Sequence, residues 1–122
     1  MTVLESLVLA HVAGDWLLQT EWQATRKAHD WRALATHVAI YHLVVLGALG
    51  ARFGFAEPRV WAVVAGLAAM HAFLDLGWPV RSFMRGLRLT VERGDDRWLT
   101  IAVDQSIHLL LLGAAAWVLT AG

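Results

Sequence analysis

Hydrophobic residues form four long stretches along the chain, approximately over residues 2–19, 33–53, 60–80 and 98–121. Each stretch is close to the ~20 residues with which an α-helix crosses ~30 Å of hydrocarbon. A helix of a soluble bundle carries a polar stripe along its outer face, and these stretches carry none. The pattern therefore predicts an all-α, polytopic membrane protein with four transmembrane helices in a bundle. A soluble four-helix bundle is the weaker alternative.

The composition agrees with this class. Of the 122 residues, 58% are hydrophobic and 16% are charged, whereas a soluble domain carries roughly a quarter charged residues. Ten basic residues balance ten acidic ones, and there is no cysteine. We therefore exclude nucleic-acid binding through net charge, a disulfide-stapled module and a thiolate metal site. At this length we expect a single domain over residues 1–122.

Basic residues indicate how the helices are oriented. The first connection carries three basic residues, the third carries five and the second carries two. In a four-span chain the first and third connections lie on the same side of the membrane. The positive-inside rule then places these two connections in the cytoplasm and both termini outside. The first stretch is not a cleavable signal peptide, because Glu5, His11 and Asp15 interrupt it and no basic region precedes it.

Part of the third connection has a helical pattern of its own. Arg81, Arg85 and Arg88 recur at helical spacing beside Phe83 and Met84. This spacing is typical of a short interfacial helix that contacts membrane lipid through anionic headgroups. The alternative is ordinary positive-inside charge with no specific ligand.

Polar residues interrupt the four stretches as pairs that are four residues apart. The pairs are His11 with Asp15, His37 with Tyr41, His71 with Asp75, and Asp104 with His108. Residues four apart lie on one face of a helix. At 1.5 Å per residue, the His and Asp residues of all four pairs fall in one layer, roughly 5 to 17 Å inside the basic side.

The cost of burying carboxylates predicts what this layer does. One Asp at the centre of an inserted helix costs about 2.5–3.5 kcal/mol, so three of them must be protonated, paired or metal-bound. Imidazole and carboxylate are ligands that zinc accepts without cysteine. We predict a divalent-metal site that holds one or two ions, with zinc as the first expectation. The candidate ligands are His11, Asp15, His37, His71, Asp75, Asp104 and His108. A hydrogen-bonded core without metal and a proton or ion pathway remain open alternatives.

Three further polar residues are expected to lie near this layer. His42 is five residues from His37, and therefore on a different face, where an interhelical hydrogen bond is the expected role. Gln19 and Gln105 can either orient the metal ligands or make ordinary contacts between helices.

The chain also contains a short internal repeat. Residues 10–16 parallel residues 70–76, and each segment is followed by a basic connection and a helix with a second polar pair. Both segments run in the same direction through the membrane. The repeat therefore predicts a pseudo-twofold axis along the membrane normal, with facing ligand sets.

Four ordered motifs carry a resemblance to a known family. They are HVAGDWLLQ from His11, HVAIY from His37, HAFLD from His71 and VDQSIH from Val103. In this order and at this spacing they resemble domain-of-unknown-function family 3307, a bacterial family of small integral membrane proteins, over essentially the whole chain. The resemblance implies a four-helix protein of the bacterial inner membrane with this His/Asp set at its centre, and it implies no activity. His42 departs from the apolar or hydroxyl residue that we expect after Tyr41. A more distant similarity is to inner-membrane metal-dependent hydrolases with His and Asp in their membrane helices.

Two functions from different classes are consistent with these features. The first is a metal-dependent hydrolase of a lipid-linked or phosphate-bearing substrate. In it, one of Asp15, Asp75 and Asp104 is the general base, with Asp15 and Asp104 as the first candidates, and Tyr41 donates to a developing oxyanion. The second is a non-enzymatic ion-binding, ion-conducting or structural subunit, for which transport would require a homo-oligomer. An open coordination position beside a substrate cavity would favour the hydrolase.

Overall fold

The computed structural model describes residues 1–87 and 97–121, and every regular element in these two ranges is a helix. The elements are α1 (Val3–His11), which continues as a π-helical turn (Val12–Leu17), α2 (Glu21–Arg26), α3 (Trp31–Phe53), α4 (Pro58–Asp75), α5 (Trp78–Gly86) and α6 (Arg97–Thr120). The predicted all-α class is therefore confirmed for the described part of the chain.

The four long helical segments pack as a ring. Helix α1 contacts α3, α3 contacts α4, α4 contacts α6, and α6 contacts α1. Helices α1 and α4 consequently lie diagonally across the bundle, as do α3 and α6. The order of a first helix, a short helix and a long helix occurs twice, in α1–α2–α3 and in α4–α5–α6. This order and the diagonal placement are what a pseudo-twofold axis along the bundle requires.

The outer faces of the bundle are apolar, as a protein in lipid requires. Leu43, Leu110 and Trp117 are 67%, 74% and 70% exposed, and an apolar surface of this kind is unfavourable in water. Helices α3 and α6 are each long and apolar enough to cross a membrane, and α4 with α5 adds a third candidate span if the bent pair is one span. Two or three of the four expected spans therefore meet the length and hydropathy that a crossing needs.

The first predicted span, residues 2–19, is shorter in the structure. The continuous helical run ends at Leu17, and a new helix begins after Thr20. The Thr20 hydroxyl accepts a hydrogen bond from the backbone N–H of Gln23, whose side chain in turn accepts from the Thr20 N–H. This reciprocal pair is a capping box, which starts a helix. The expected connection over residues 20–32 thus contains α2.

The third predicted span, residues 60–80, is broken into two helices. Helix α4 ends at Asp75, and α5 turns away from it by 74°. Gly77 lies between them with a φ of +76°, a left-handed conformation that glycine adopts without strain. Pro79 follows in the first turn of α5, and it has no N–H with which to continue α4.

Helix α5 coincides with the amphipathic helix predicted around Arg81 and Arg85. Met84 is buried, whereas Arg81, Phe83 and Arg85 are exposed. Arg88, the third arginine of the predicted headgroup-binding set, lies outside the described residues.

Apolar side chains fill the bundle between the start of α1 and the end of α6. This region, called the apolar half below, is formed by Val3, Leu7, Ala10, Tyr41, Val45, Leu49, Val60, Val64, Leu112, Ala115, Ala116 and Leu119. A second and smaller group, in which Leu74, Val80 and Met84 are buried, joins α4 and α5 to α6. Between these two groups lie the buried polar residues.

Candidate metal centre

Four side-chain atoms from three helical segments converge in the polar layer. Asp15 Oδ1 lies 3.1 Å from His37 Nε2 and 3.7 Å from His71 Nε2. Asp75 Oδ2 lies 3.2 Å from His37 Nε2 and 3.1 Å from His71 Nε2. The two Nε2 atoms are 3.2 Å apart. These four residues, the Asp/His cluster, each have a side chain that is no more than 4% exposed.

Five distances within the Asp/His cluster are close to those between ligands of one metal ion. Nitrogen and oxygen ligands at ~2.0–2.2 Å from one ion stand about 3.3–3.6 Å apart, and the five separations given above run from 3.1 to 3.7 Å. Asp15 Oδ1 and Asp75 Oδ2 are buried, and they contact the two imidazoles and the ammonium of Lys27. A cation between them would satisfy both oxygens. Two imidazoles and two carboxylates are therefore placed where they can hold a divalent ion.

A second group of ligand atoms adjoins the first and shares His71 with it. One ligand atom from each of His71, Asp75 and His108 lies within 4.8 Å of the other two, as is also true of Asp15, His37 and His71. The Nδ1 atom of His108 lies 2.8 Å from the backbone carbonyl of Asp104. This contact fixes the His108 ring and leaves its Nε2 without a hydrogen-bond partner in the described part of the chain.

The π-helical turn brings Asp15 to this position. The N–H of Leu18 donates to the carbonyl of Ala13, five residues earlier, which widens the last turn of the helix. Gly14 lets this turn pack closely against α3, because a Cβ atom there would lie 2.7 Å from Cδ2 of Tyr41 and 3.1 Å from its Cα. The π-turn and Gly14 thus set how near Asp15 comes to His37.

Gln105 connects the helices around the cluster. Its amide nitrogen donates to Asp15 Oδ2 at 2.9 Å and to Asp104 Oδ2 at 3.2 Å. Its amide oxygen lies 2.7 Å from Nε2 of His11 and accepts from the indole N–H of Trp16. Gln105 therefore orients two candidate carboxylates, which is the first of the two roles expected for it. Gln19 donates to the backbone carbonyl of Asp15 and contacts the π-turn.

The remaining predicted site residues lie around the Asp/His cluster. His11 Nε2 is 3.9 Å from Asp15 Oδ2, and its Nδ1 is 2.9 Å from the Tyr41 hydroxyl. Tyr41 and His42 line a second cavity of about 10 Å³ on the inner side of His71, together with His108. His42 has its Nδ1 2.8 Å from the carbonyl of Val38, which lies one turn earlier in the same helix, so this hydrogen bond is not the interhelical one expected of His42.

A cleft of about 330 Å³ opens beside the Asp/His cluster. Residues from the π-helical turn, α2, α4, α5, α6 and the turns between them line it, and they include Asp15, Asp75, Asp104, Gln105 and Lys27. Three carboxylates thus face one cleft, at the end of the bundle where the first and third connections lie. Tyr41 lies deeper and is not among the lining residues.

Lys27 is the contributor that the sequence pattern missed. Its Nζ lies 3.0 Å from Asp75 Oδ2 and 3.9 Å from Asp15 Oδ1, and its side chain is 18% exposed. In the sequence it stands among other basic residues of the first connection, and positive-inside charge explained it. Its one distinctive signal is that no other lysine occurs in the chain.

Comparison with known proteins supplies a family and no activity. The model of a family described as protein of unknown function, DUF3307, matches residues 3–121. Neither the curated proteins nor the solved structures contain a match. Because the matched region covers nearly the whole sequence, from the start of α1 to the end of α6, the chain belongs to the DUF3307 family.

Proposed function

We propose that this chain is an integral protein of the bacterial inner membrane that binds a divalent cation in the Asp/His cluster and hydrolyses a phosphate-bearing or lipid-linked substrate in the adjoining cleft. The observation that carries the proposal is the convergence of two buried imidazoles and two buried carboxylates, those of His37, His71, Asp15 and Asp75, beside a cleft of about 330 Å³. A site that opens onto a cavity can admit a substrate, whereas a structural metal site is closed.

The charges around the cleft support a divalent cation. Three carboxylates, those of Asp15, Asp75 and Asp104, line the cleft together with the ammonium of Lys27. With neutral histidines and ionised carboxylates, these four described lining groups carry a net charge of −2. Burying such charges in a low-dielectric site is costly unless they are paired, and one divalent ion supplies the missing charge. We propose zinc as the first candidate because two His nitrogens and two Asp oxygens suit it.

The residues of the chain have separate roles in this mechanism. A bound divalent ion would supply an activated water and an electrophile for the phosphoryl oxygen. Asp104 is the best-placed general base, because it lines the cleft, its side chain is 23% exposed, and it is not part of the Asp/His cluster. Gln105 holds the carboxylates of Asp15 and Asp104 at a fixed separation. The hydroxyl of Tyr41 contacts His11 and does not line the cleft, so we assign Tyr41 to positioning the His11 ring.

We further propose four membrane crossings with the cleft on the cytoplasmic side. Lys27 of the first connection contacts Asp75, which precedes the third connection, so both basic connections lie at one end of the bundle. At the other end, Arg52 donates to the carbonyl of Met1. This arrangement suits the positive-inside rule. Arg81 and Arg85 on the exposed face of α5 would then contact anionic lipid headgroups beside the cleft.

Metal binding is tested on the detergent-purified protein. We expect one to two equivalents of zinc by inductively coupled plasma mass spectrometry, and a loss of at least 90% of this metal in His37→Leu and Asp75→Asn. His29→Leu is the matched control, because His29 lies outside the cluster and should keep full metal content. Circular dichroism should show unchanged helix content in all variants. Equal metal in His37→Leu and wild type would overturn the site.

Hydrolysis is tested separately, with phosphate release from phosphatidic acid in mixed micelles. We expect release that requires zinc and falls by a factor of 10²–10⁴ in Asp104→Asn, the range by which a general base contributes. Metal binding without release of phosphate would favour the alternative, a non-enzymatic ion-binding subunit. The second cavity of about 10 Å³, lined by three histidines, is the observation that favours this alternative.

A further inference from the structure

Lys27 occupies the position where a cation is needed most. Its Nζ lies over the two cluster carboxylates, at 3.0 Å from Asp75 Oδ2 and 3.9 Å from Asp15 Oδ1. The same two oxygens contact His37 Nε2 within the Asp/His cluster. The neighbouring basic residue, Arg26, is exposed and does not line the cleft. The placement of Lys27 is therefore specific to this residue and does not follow from the basic character of the connection.

We propose that Lys27 is an internal counter-cation that competes with the metal ion for the Asp15–Asp75 pair and moves away from that pair, further into the cleft that it lines, when metal binds. There its ammonium becomes the binding group for the phosphate of the substrate. This inference rests on the proposed metal site and deepens it, since it names the residue that regulates loading and recognises the anion.

The competition follows from distance and charge. A divalent ion bound to Asp75 Oδ2 would lie ~2.0–2.2 Å from that oxygen, which places it within about 5 Å of an ammonium 3.0 Å from the same atom. Two cations this close repel strongly in a buried site, where water screens little. Lys27 directly follows the six-residue helix α2, and its side chain is partly exposed. The side chain can therefore move further into the cleft without unfolding a long helix.

Anion binding follows from what else faces the cleft. Among the described residues, its lining contains three aspartates and one side-chain cation, Lys27. A phosphate approaching three carboxylates needs positive charge from the protein as well as from the metal. The ammonium of Lys27, once released from Asp75, supplies this charge. Lysine commonly binds phosphate in this way, as a point charge on a flexible side chain.

The first test measures zinc affinity by competition with a chelating dye. We expect Lys27→Met to bind zinc at least tenfold more tightly than wild type, because the competing charge is gone. Lys27→Arg keeps the charge and should remain within threefold of wild type. Arg26→Met is the matched control, since it removes the adjacent exposed charge, and its affinity should not change. Equal zinc affinity in Lys27→Met and wild type would overturn the competition.

The second test uses the unmodified protein and needs no variant to fold. Lys27 is the only lysine in the sequence, so amine acylation followed by peptide mass spectrometry reports on this residue alone. We expect its acylation rate to rise at least threefold when zinc is added after chelator treatment. A lysine-containing peptide added to the same sample is the reference and should react at a constant rate. An unchanged Lys27 rate in protein that has bound zinc would contradict the displacement.

Phosphate recognition is measured on the zinc-loaded protein with inorganic phosphate as the probe. Binding should weaken at least tenfold in Lys27→Met and be unaffected in Arg26→Met. If wild-type protein does not bind zinc at all, the proposed metal site itself is wrong. This outcome is distinguishable from a failure of the phosphate role of Lys27. If Lys27→Met binds zinc more tightly and phosphate equally well, the competition holds and the phosphate role is wrong.

Discussion

At the end of the bundle that carries the cleft, the helices face one another through Asp15, His37, His71 and Asp75, whereas at the other end they face one another through Leu7, Leu49, Val60 and other apolar residues. In the membrane setting proposed for this chain, the hydrophobic effect hardly separates the inside from the outside of a bundle, because the lipid tails are as apolar as leucine. The apolar half therefore holds the helices through close packing. The end of the bundle that carries the Asp/His cluster, called the polar half, needs every charge to have a partner.

The difference indicates that the apolar half positions the helices and that the polar residues at the other end bind and react. A tightly packed apolar half can fix the helix positions so that the polar half keeps its ligands within a few tenths of an ångström of one another. If this holds, changes in the apolar half should reduce the free energy of unfolding and preserve metal content. Changes around the polar layer should reduce metal content and leave the free energy of unfolding nearly unchanged.

The largest stability effect is expected from Leu49→Ala. Leu49 is completely buried in the apolar half, and truncation leaves a cavity. Soluble cores lose about 2–5 kcal/mol in such substitutions, and we expect about 2 kcal/mol here because lipid lowers the transfer contribution. Denaturation followed by circular dichroism measures the loss. Leu110→Ala, at a position 74% exposed, is the control and should change little. Loss of zinc in Leu49→Ala would show that the two halves are not separable.

A smaller effect, on metal affinity and not on stability, is expected from Gln105→Ala. Gln105 donates to both Asp15 and Asp104, and removal of such an orienting partner lowers metal affinity about 10- to 100-fold. Zinc titration against a competing chelator measures this change. Ser106→Ala is the control, because Ser106 is exposed and its hydroxyl bonds only to the Ala102 carbonyl among the described residues. Full zinc affinity in Gln105→Ala would show that the helix backbones alone orient the carboxylates.

The smallest effect is expected from Thr20→Ala, which removes the capping box of α2. Loss of an N-cap costs about 1 kcal/mol, and the fraying of α2 should loosen Lys27 as well. Thermal unfolding measures the stability change, and the acylation rate of Lys27 measures the local one. Thr25→Ala on the same helix is the control, because its hydroxyl donates only to helix carbonyls. A Lys27 rate as slow as in wild type would show that Asp75 alone holds the lysine.

Much of the candidate site could be predicted because the cost of burying charge is visible in a sequence. Four polar pairs within apolar stretches had few explanations other than mutual contact, and six of the eight paired residues are fully buried His or Asp. The break between α4 and α5 was harder to predict. Gly77 and Pro79 were present as signals, but the apolar run continued through them to Val80. Hydropathy averages over such a bend, since it counts residues and ignores the backbone angle.

The amino-acid sequence by itself determined the all-α class, the apolar outer faces and the residues of the polar layer, because local periodicity and the cost of burial fix these properties residue by residue. Only the tertiary structure decided which atoms meet. The π-turn at Gly14 placed Asp15 beside His37, the ring order of the helices set α1 diagonal to α4, and the short helix α2 directed Lys27 to Asp75. These outcomes depend on contacts between residues far apart in the chain, and no local pattern encodes distances between helices.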